Sequence, residues 1–238
     1  TELTLADNRV VAAEALVRWQ HPTRGLVPPM QFIPFAEQTG FVRQLTLWMF
    51  EEVARELPRL RADGQPLRVA INLSTRDLLD QEFPAKLDAL MARYGAPTDA
   101  FCLEITESAI MDDPQRAEAT LGRLSERGFK LSIDDFGTGY SSLAYLKRLP
   151  VNELKIDKSF VMGMEKDESD AKIVRSTIDL AHNLGLSVVA EGVENQAILD
   201  KLRALSCDEA QGYYMSKPIT LPDFIQWRAR FLSAGVAN

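Results

Sequence analysis

FCLEITESAIMDDPQRAEATLGRLSERGFKLSIDD, residues 101–135, reads as a strand, a helix and a second strand. Phe101–Glu107 is an apolar, partly β-branched run that ends in polar residues. Asp113 then stands where a helix cap belongs, with Pro114 in the first turn; Ala117, Leu121 and Leu124 share one face, and Gly128 stops the helix. Lys130–Asp135 is the next apolar run, and it ends in paired aspartates. Two strands joined by a crossover helix are the repeating unit of a parallel sheet.

Outward from this stretch the unit recurs in both directions. Strands are predicted at Arg9–Arg18, Arg68–Ser74, Phe101–Glu107, Lys130–Asp135, Glu153–Asp157, Ser187–Glu191 and Ala210–Tyr214. Several, such as Val188-Val189-Ala190, are continuously apolar, as strands covered on both faces are. Helices are predicted at Phe41–Leu60 and Leu221–Leu232. Another is capped by Ser169, with Ile173, Val174, Ile178, Ala181 and Leu184 as its stripe and Gly185 at its end, and a third carries Ile198, Leu199, Leu202 and Leu205.

This alternation leaves a doubly wound sheet or a closed barrel. No strand is followed by Gly-x-Gly-x-x-Gly, so the doubly wound alternative lacks support. The expected fold is α/β, a modified, irregular (β/α)₈ TIM-like barrel. Leu3 and Leu5 alternate with polar residues, and Asp7-Asn8 reads as a tight turn. Thr1–Leu5 is therefore expected to be the tail of a truncated first strand, antiparallel to the second.

The 238 residues, 46% hydrophobic and 26% charged, suit one globular domain over 1–238. Twenty-seven basic against 34 acidic residues give a net charge of −7. Duplex nucleic acid is thus an unsuitable partner, and a phosphate ester would need positive charge from bound metal ions. No apolar run is long enough to span a bilayer, and no signal peptide is expected from the opening residues. Cys102 and Cys207 make neither a disulfide framework nor a metal-type pair, so a reducing compartment is expected. The chain begins with Thr1, not Met, and is expected to be a piece of a longer or processed protein.

Polar groups recur at the strand ends: Glu14, Asn72, Glu104, Glu107, Asp134, Asp135, Lys155, Asp157, Glu191, Glu194 and Gln211. In a (β/α)₈ barrel the carboxyl ends of different strands converge on one mouth. Several carboxylates gathered there repel one another unless some are protonated or cations sit among them. Oxygen donors with an Asn amide and no Cys or His point to Mg²⁺, Mn²⁺ or Ca²⁺. Adjacent aspartates can reach two ions from one strand end, which suits attack on a phosphate ester. One carboxylate alone would read as a cap or a turn; the recurrence argues otherwise. His21 and His182 are isolated and read as structural or solvated, and the three tryptophans read as core or interface.

At this point Glu14-Ala15-Leu16-Val17-Arg18-Trp19 resembles the signature of the EAL-domain cyclic di-GMP phosphodiesterases. The resemblance continues in order through Asn72-Leu73-Ser74, Glu104–Ser108, Asp134–Leu143, Leu154–Phe160, Ala190–Glu194 and Gln211–Pro218. It implies a modified barrel with an antiparallel strand near the start, and hydrolysis of one phosphodiester bond of cyclic di-GMP to linear pGpG with two divalent ions, Mg²⁺ or Mn²⁺. By the same resemblance Glu14, Asn72, Glu104 and Asp134 look like ligands of the first ion, with Asp134 bridging to a second that Asp135 completes. Lys155 and Glu191 look like the catalytic pair that orients or deprotonates water. Arg18 resembles a phosphate-contacting residue, and Glu194 and Gln211 lie at the substrate rim. Glu107 and the loop after the paired aspartates (Phe136, Gly137, Thr138, Gly139) resemble a regulatory element that links the metal site to a homodimer contact. The family's members are commonly fused to upstream sensory or diguanylate-cyclase domains, so a cytoplasmic domain is expected, with membrane anchoring of the full-length protein left open.

The sequence departs from the family in two places. A leading helix and a full first strand with Tyr-Gln-Pro are missing before Thr1, which should leave open edges on both neighbouring strands. Met215 stands where Phe is common, an apolar exchange of little expected effect. Two competing functions follow: a catalytically weak cyclic di-GMP receptor or interaction module, and a metal-dependent barrel acting on a carbon acid. The second leaves the ordered motifs unexplained, and the first is disfavoured because the Glu-Ala-Leu signature and the expected metal-ligand positions are intact.

Overall fold

The computed structural model describes residues 1–138 and 143–235. Its strands are β1 (Glu2–Thr4), β2 (Val10–Glu14), β3 (Trp19–His21), β4 (Gly25–Val27), β5 (Arg68–Leu73), β6 (Phe101–Thr106), β7 (Lys130–Phe136), β8 (Glu153–Ile156), β9 (Ser187–Ala190) and β10 (Glu209–Gln211). Eight of them close a barrel in the order β1-β10-β9-β8-β7-β6-β5-β2. From β2 round to β10 the neighbours are parallel, and β1 runs antiparallel to both of its own.

The open edges expected from a truncated first strand are absent. Three residues suffice: Glu2, Leu3 and Thr4 pair with Gln211, Ala210 and Glu209 on one side, and Glu2 and Leu3 pair with Ala12 and Val10 on the other. The expected turn follows, with Asn8 at a φ of 56° and the Thr4 hydroxyl bonded to Asp7. The predicted strand Arg9–Arg18 in fact stops at Glu14, and Trp19–His21 pairs with Gly25–Val27 in a separate hairpin.

Helices cover the barrel where the periodicity put them. Asp113 caps Pro114–Glu126 by accepting from the Arg116 amide. Asp167, not Ser169, caps Glu168–Asn183, because its carboxylate is the group that accepts from the Ser169 amide. Between barrel and helices Phe50, Phe83, Phe101 and Phe129 pack at centroid separations of 5.8–6.5 Å. Mostly edge-on contacts of this kind suit the ring quadrupole. Met215 packs against this core as its apolar character requires. Trp19 and Trp48 are largely exposed, while Trp227 stacks between Phe224 and Phe231. His182 contacts Asp208 at 2.9 Å. Among the described residues no helix is long and apolar enough to cross a membrane.

One glycine interlocks the two last mouth loops. A Cβ on Gly212 would lie 2.1 Å from the Val193 carbonyl oxygen and 2.3 Å from its nitrogen. That closeness lets the Val193 amide donate to the Gln211 carbonyl and the Tyr214 amide donate to the Val193 carbonyl, both at 3.0 Å. Backbone cannot yield as a flexible side chain does, so Gly212→Ala is expected to cost about 2–3 kcal/mol. Thermal or urea unfolding measures this; a loss below about 0.5 kcal/mol, the usual limit for a neutral site, would refute it.

Candidate active site

The carboxyl ends of the parallel strands open on one mouth, and two linked groups of side chains meet there. In the first, Glu14 at the end of β2 is held by two amides: Asn72 Nδ2 donates to its Oε1 and Gln211 Nε2 to its Oε2, each at 2.9 Å. Asn72 thereby keeps Oδ1 as its remaining acceptor, so this amide offers oxygen to a cation.

The second group surrounds Lys155, which β8 directs into the barrel and which is 1% exposed. Its ammonium lies 2.5 Å from Glu104, 2.6 Å from Glu191 and 4.0 Å from Asp134. Burial, the largest influence, works against the charge, but Glu104, Glu191 and Asp134 outweigh it and hold the Lys155 pKa well above its ordinary value. Burial pushes the Glu104 carboxyl well up despite Lys155. Glu191 is raised to about 7, by burial first and by Asp134, with Lys155 opposing.

Asp134 and Asp135 reach the mouth together through a backbone irregularity. Ile133 pairs with Leu154 but Phe136 pairs with Ile156, so β7 carries one residue more than β8 across this interval. Asp135 takes up the extra length at a φ of 54°. Strict alternation would send neighbouring side chains to opposite faces; a bulge re-aims one of them. As a result, carboxylate oxygens of Asp134, Asp135 and Glu191 lie within 4.8 Å of one another. Burial, then Asp134 and Asp157, lift the Asp135 carboxyl to about 6.

These donors fit divalent cations. Glu104 Oε2 is buried without a hydrogen-bond partner, and three mutually repelling carboxylates stand together where two of them are reluctant to ionise. Oxygen-only sets of this kind suit hard ions. Glu14, Glu104 and Asp134 are less closely gathered, with the Lys155 ammonium set against the latter two.

The other expected site residues lie around this mouth as follows. Arg18 is exposed beyond β2 and its guanidinium donates to the neighbouring Val17 carbonyl at 2.8 Å. Glu194 is exposed on the loop after β9. Gln211 faces Glu14 rather than an outer rim. Glu107 is buried after β6, and its Oε2 accepts from the Gly137 amide at 3.4 Å. Phe136 is buried, Thr138 donates to the Asp135 carbonyl, and Gly139 lies outside the described residues.

The sequence reading missed a lower polar layer: Arg68, Glu153, Glu209 and Glu2. Its signal was the two-residue period of a strand, since Glu153 precedes Lys155 by two and Glu209 precedes Gln211 by two.

The sequence matches the EAL domain profile over residues 3–218. A cyclic di-GMP phosphodiesterase of Pseudomonas aeruginosa, NbdA, is 43% identical over 92% of this chain and 28% of its own length. The bifunctional diguanylate cyclase/cyclic di-GMP phosphodiesterase MucR of the same organism is 41% identical over 88% of this chain and 31% of its length. The chain thus spans under a third of either relative. Among solved structures, that of the PaMucR phosphodiesterase in complex with c-di-GMP superposes with a TM-score of 0.88 at 38% identity, covering 94% of this chain and 91% of that one. The profile match, the relatives and the fold agree, and the chain belongs to the EAL domain family.

Proposed function

We propose that this domain hydrolyses one phosphodiester bond of cyclic di-GMP to linear pGpG, using two divalent ions, Mg²⁺ or Mn²⁺. The observation that carries the reading is the cluster of Asp134, Asp135 and Glu191 beside a buried, unpartnered Glu104 oxygen and a buried Lys155. Glu14, Asn72, Glu104 and Asp134 would hold one ion, and Asp134 with Asp135 the other. When bound, the ions supply charge neutralisation at the phosphate and acidify water.

The chain's own groups do the rest. Glu191, held near 7, has the proton affinity that suits a general base at neutral pH. Lys155 fixes its carboxylate for that task, and Asn72 and Gln211 fix Glu14. Arg18 is exposed and, among the described residues, donates to the Val17 carbonyl, an exchangeable bond that lets it turn onto a substrate phosphate, and Glu194 is exposed on the loop after β9. The contact from Glu107 to Gly137 supports a role for that loop in coupling the site to a second copy of the domain, and upstream sensory or cyclase domains would act through it in a cytoplasmic setting.

Incubation with cyclic di-GMP and Mn²⁺, followed by chromatography, tests the proposal. Accumulation of pGpG that stops on chelation is the expected result. Cyclic di-GMP that stays intact while co-eluting with the protein would instead make the domain a receptor.

A further inference from the structure

Beneath the mouth the barrel interior holds a second charged layer. β8 turns Glu153 and Lys155 to the same inner side, and both are buried. Glu153 meets Glu2 of β1 and Glu209 of β10, with carboxylate oxygens of all three within 4.8 Å of one another. Arg68, at the start of β5, supplies the opposing charge: Nη2 lies 2.9 Å from each Glu209 oxygen and 3.6 Å from Glu153. Burial, followed by Glu153, raises Glu2 to about 8, and burial, followed by Glu209, raises Glu153, with Arg68 opposing both rises. With the Arg68 guanidinium already set against Glu153 and Glu209, this trio is not taken as a cation site.

Lys155 stands between two acidic layers. Glu104 and Glu191 hold its ammonium above, and Glu153, two residues before it on β8, faces the same inner side from below. A lysine carries its charge on a flexible four-carbon stem, and a buried ammonium follows the stronger field. Its upward orientation therefore depends on the lower layer being neutralised by something else.

We infer that Arg68 is a positioning residue for Lys155: by balancing Glu153 and Glu209 it keeps the ammonium turned to the mouth, where it holds Glu104 and Glu191. The inference rests on the reading of Lys155 as part of the hydrolytic machinery.

Steady-state hydrolysis of cyclic di-GMP with Mn²⁺ by R68M, R68M/E153Q and K155M tests it. R68M is expected to lower kcat by about 10–100-fold, the range seen for residues that orient ligands from outside a metal site, with KM changed less than about two-fold. R68M/E153Q should recover most of that loss, because a carboxylate below the ammonium has lost its charge. A purely structural role for Arg68 predicts no such rescue. Wild-type kcat in R68M, or a loss that E153Q does not restore, overturns the inference. Should R68M not fold, the triple variant R68M/E153Q/E209Q decides. A kcat within about three-fold of wild type supports the inference; a folded triple variant still in the 10–100-fold range of loss overturns it. K155M that turns over at the wild-type rate overturns the underlying reading and this inference with it. K155M inactive beside a fully active R68M overturns the inference alone.

Discussion

Asp134→Asn is expected to abolish turnover of cyclic di-GMP while making the metal-free domain more stable. Asp134 is the carboxylate common to both groupings at the mouth: it lies with Asp135 and Glu191 and also faces the Lys155 ammonium at 4.0 Å. If Asp134 is shared by two ions as proposed, neutralising it loosens both. Metal-supplied charge stabilisation is worth several kcal/mol, so kcat should fall by at least about 10³-fold. Titration calorimetry with Mn²⁺ should show the binding stoichiometry reduced. Without metal the same carboxylate is a liability, because it raises the proton affinity of Asp135, Glu191 and Glu104 by like-charge repulsion. Its removal should therefore raise the melting temperature of the metal-free protein, the trade expected where function requires repelling groups to be held together. A wild-type rate in the variant would remove Asp134 from the mechanism. Asn72→Ala should likewise abolish turnover, since Glu14 loses one of the two amides that hold it.

The barrel and most of the mouth were legible because both rest on periodicity. Apolar runs such as Val188-Val189-Ala190 alternate with helical stripes such as Ala117, Leu121 and Leu124, and parallel strands deliver whatever ends them to one side. What was not legible depends on departures from the period. Nothing in Ser132-Ile133-Asp134-Asp135 announces that Asp135 will adopt a left-handed backbone and bulge, yet that single residue brings two adjacent carboxylates to one face. The first strand was read, but not that its three residues would close the barrel, and that was obscure for another reason. Glu2-Leu3-Thr4 has only three residues of pattern, and its burial is set by the partners it meets, Ala12 and Gln211, far apart in the chain. Arg18 shows the same limit on a side chain: its place in the motif was readable, but its bond to the Val17 carbonyl is a choice among rotamers.

Lys155→Met is the second variant with a large expected effect, and its stability profile separates a charge role from a packing role. Methionine keeps the stem but leaves Glu104 and Glu191 without the ammonium at 2.5 and 2.6 Å. Breaking a buried pair by deleting one partner costs about 3–5 kcal/mol when the survivor stays charged. Here the survivors can take protons instead. Glu191 already sits near 7 and Glu104 well above the usual carboxylate range with Lys155 opposing both rises, so each moves further up without it. A carboxyl whose folded-state pKa exceeds its unfolded value keeps its stability below the unfolded value and loses it as pH rises through the folded one. The deficit of K155M relative to wild type should therefore be small near pH 5 and grow toward pH 8. Mn²⁺ should narrow it, because added dications restore the missing positive charge. Turnover should fall at least about 10²-fold, the scale of a lost general acid–base partner. Thermal melts across pH with and without Mn²⁺ provide the measurement. A deficit that is constant with pH and indifferent to Mn²⁺ would mean that Lys155 serves the barrel as an aliphatic filler, and that the charge balance of the mouth is kept by other groups.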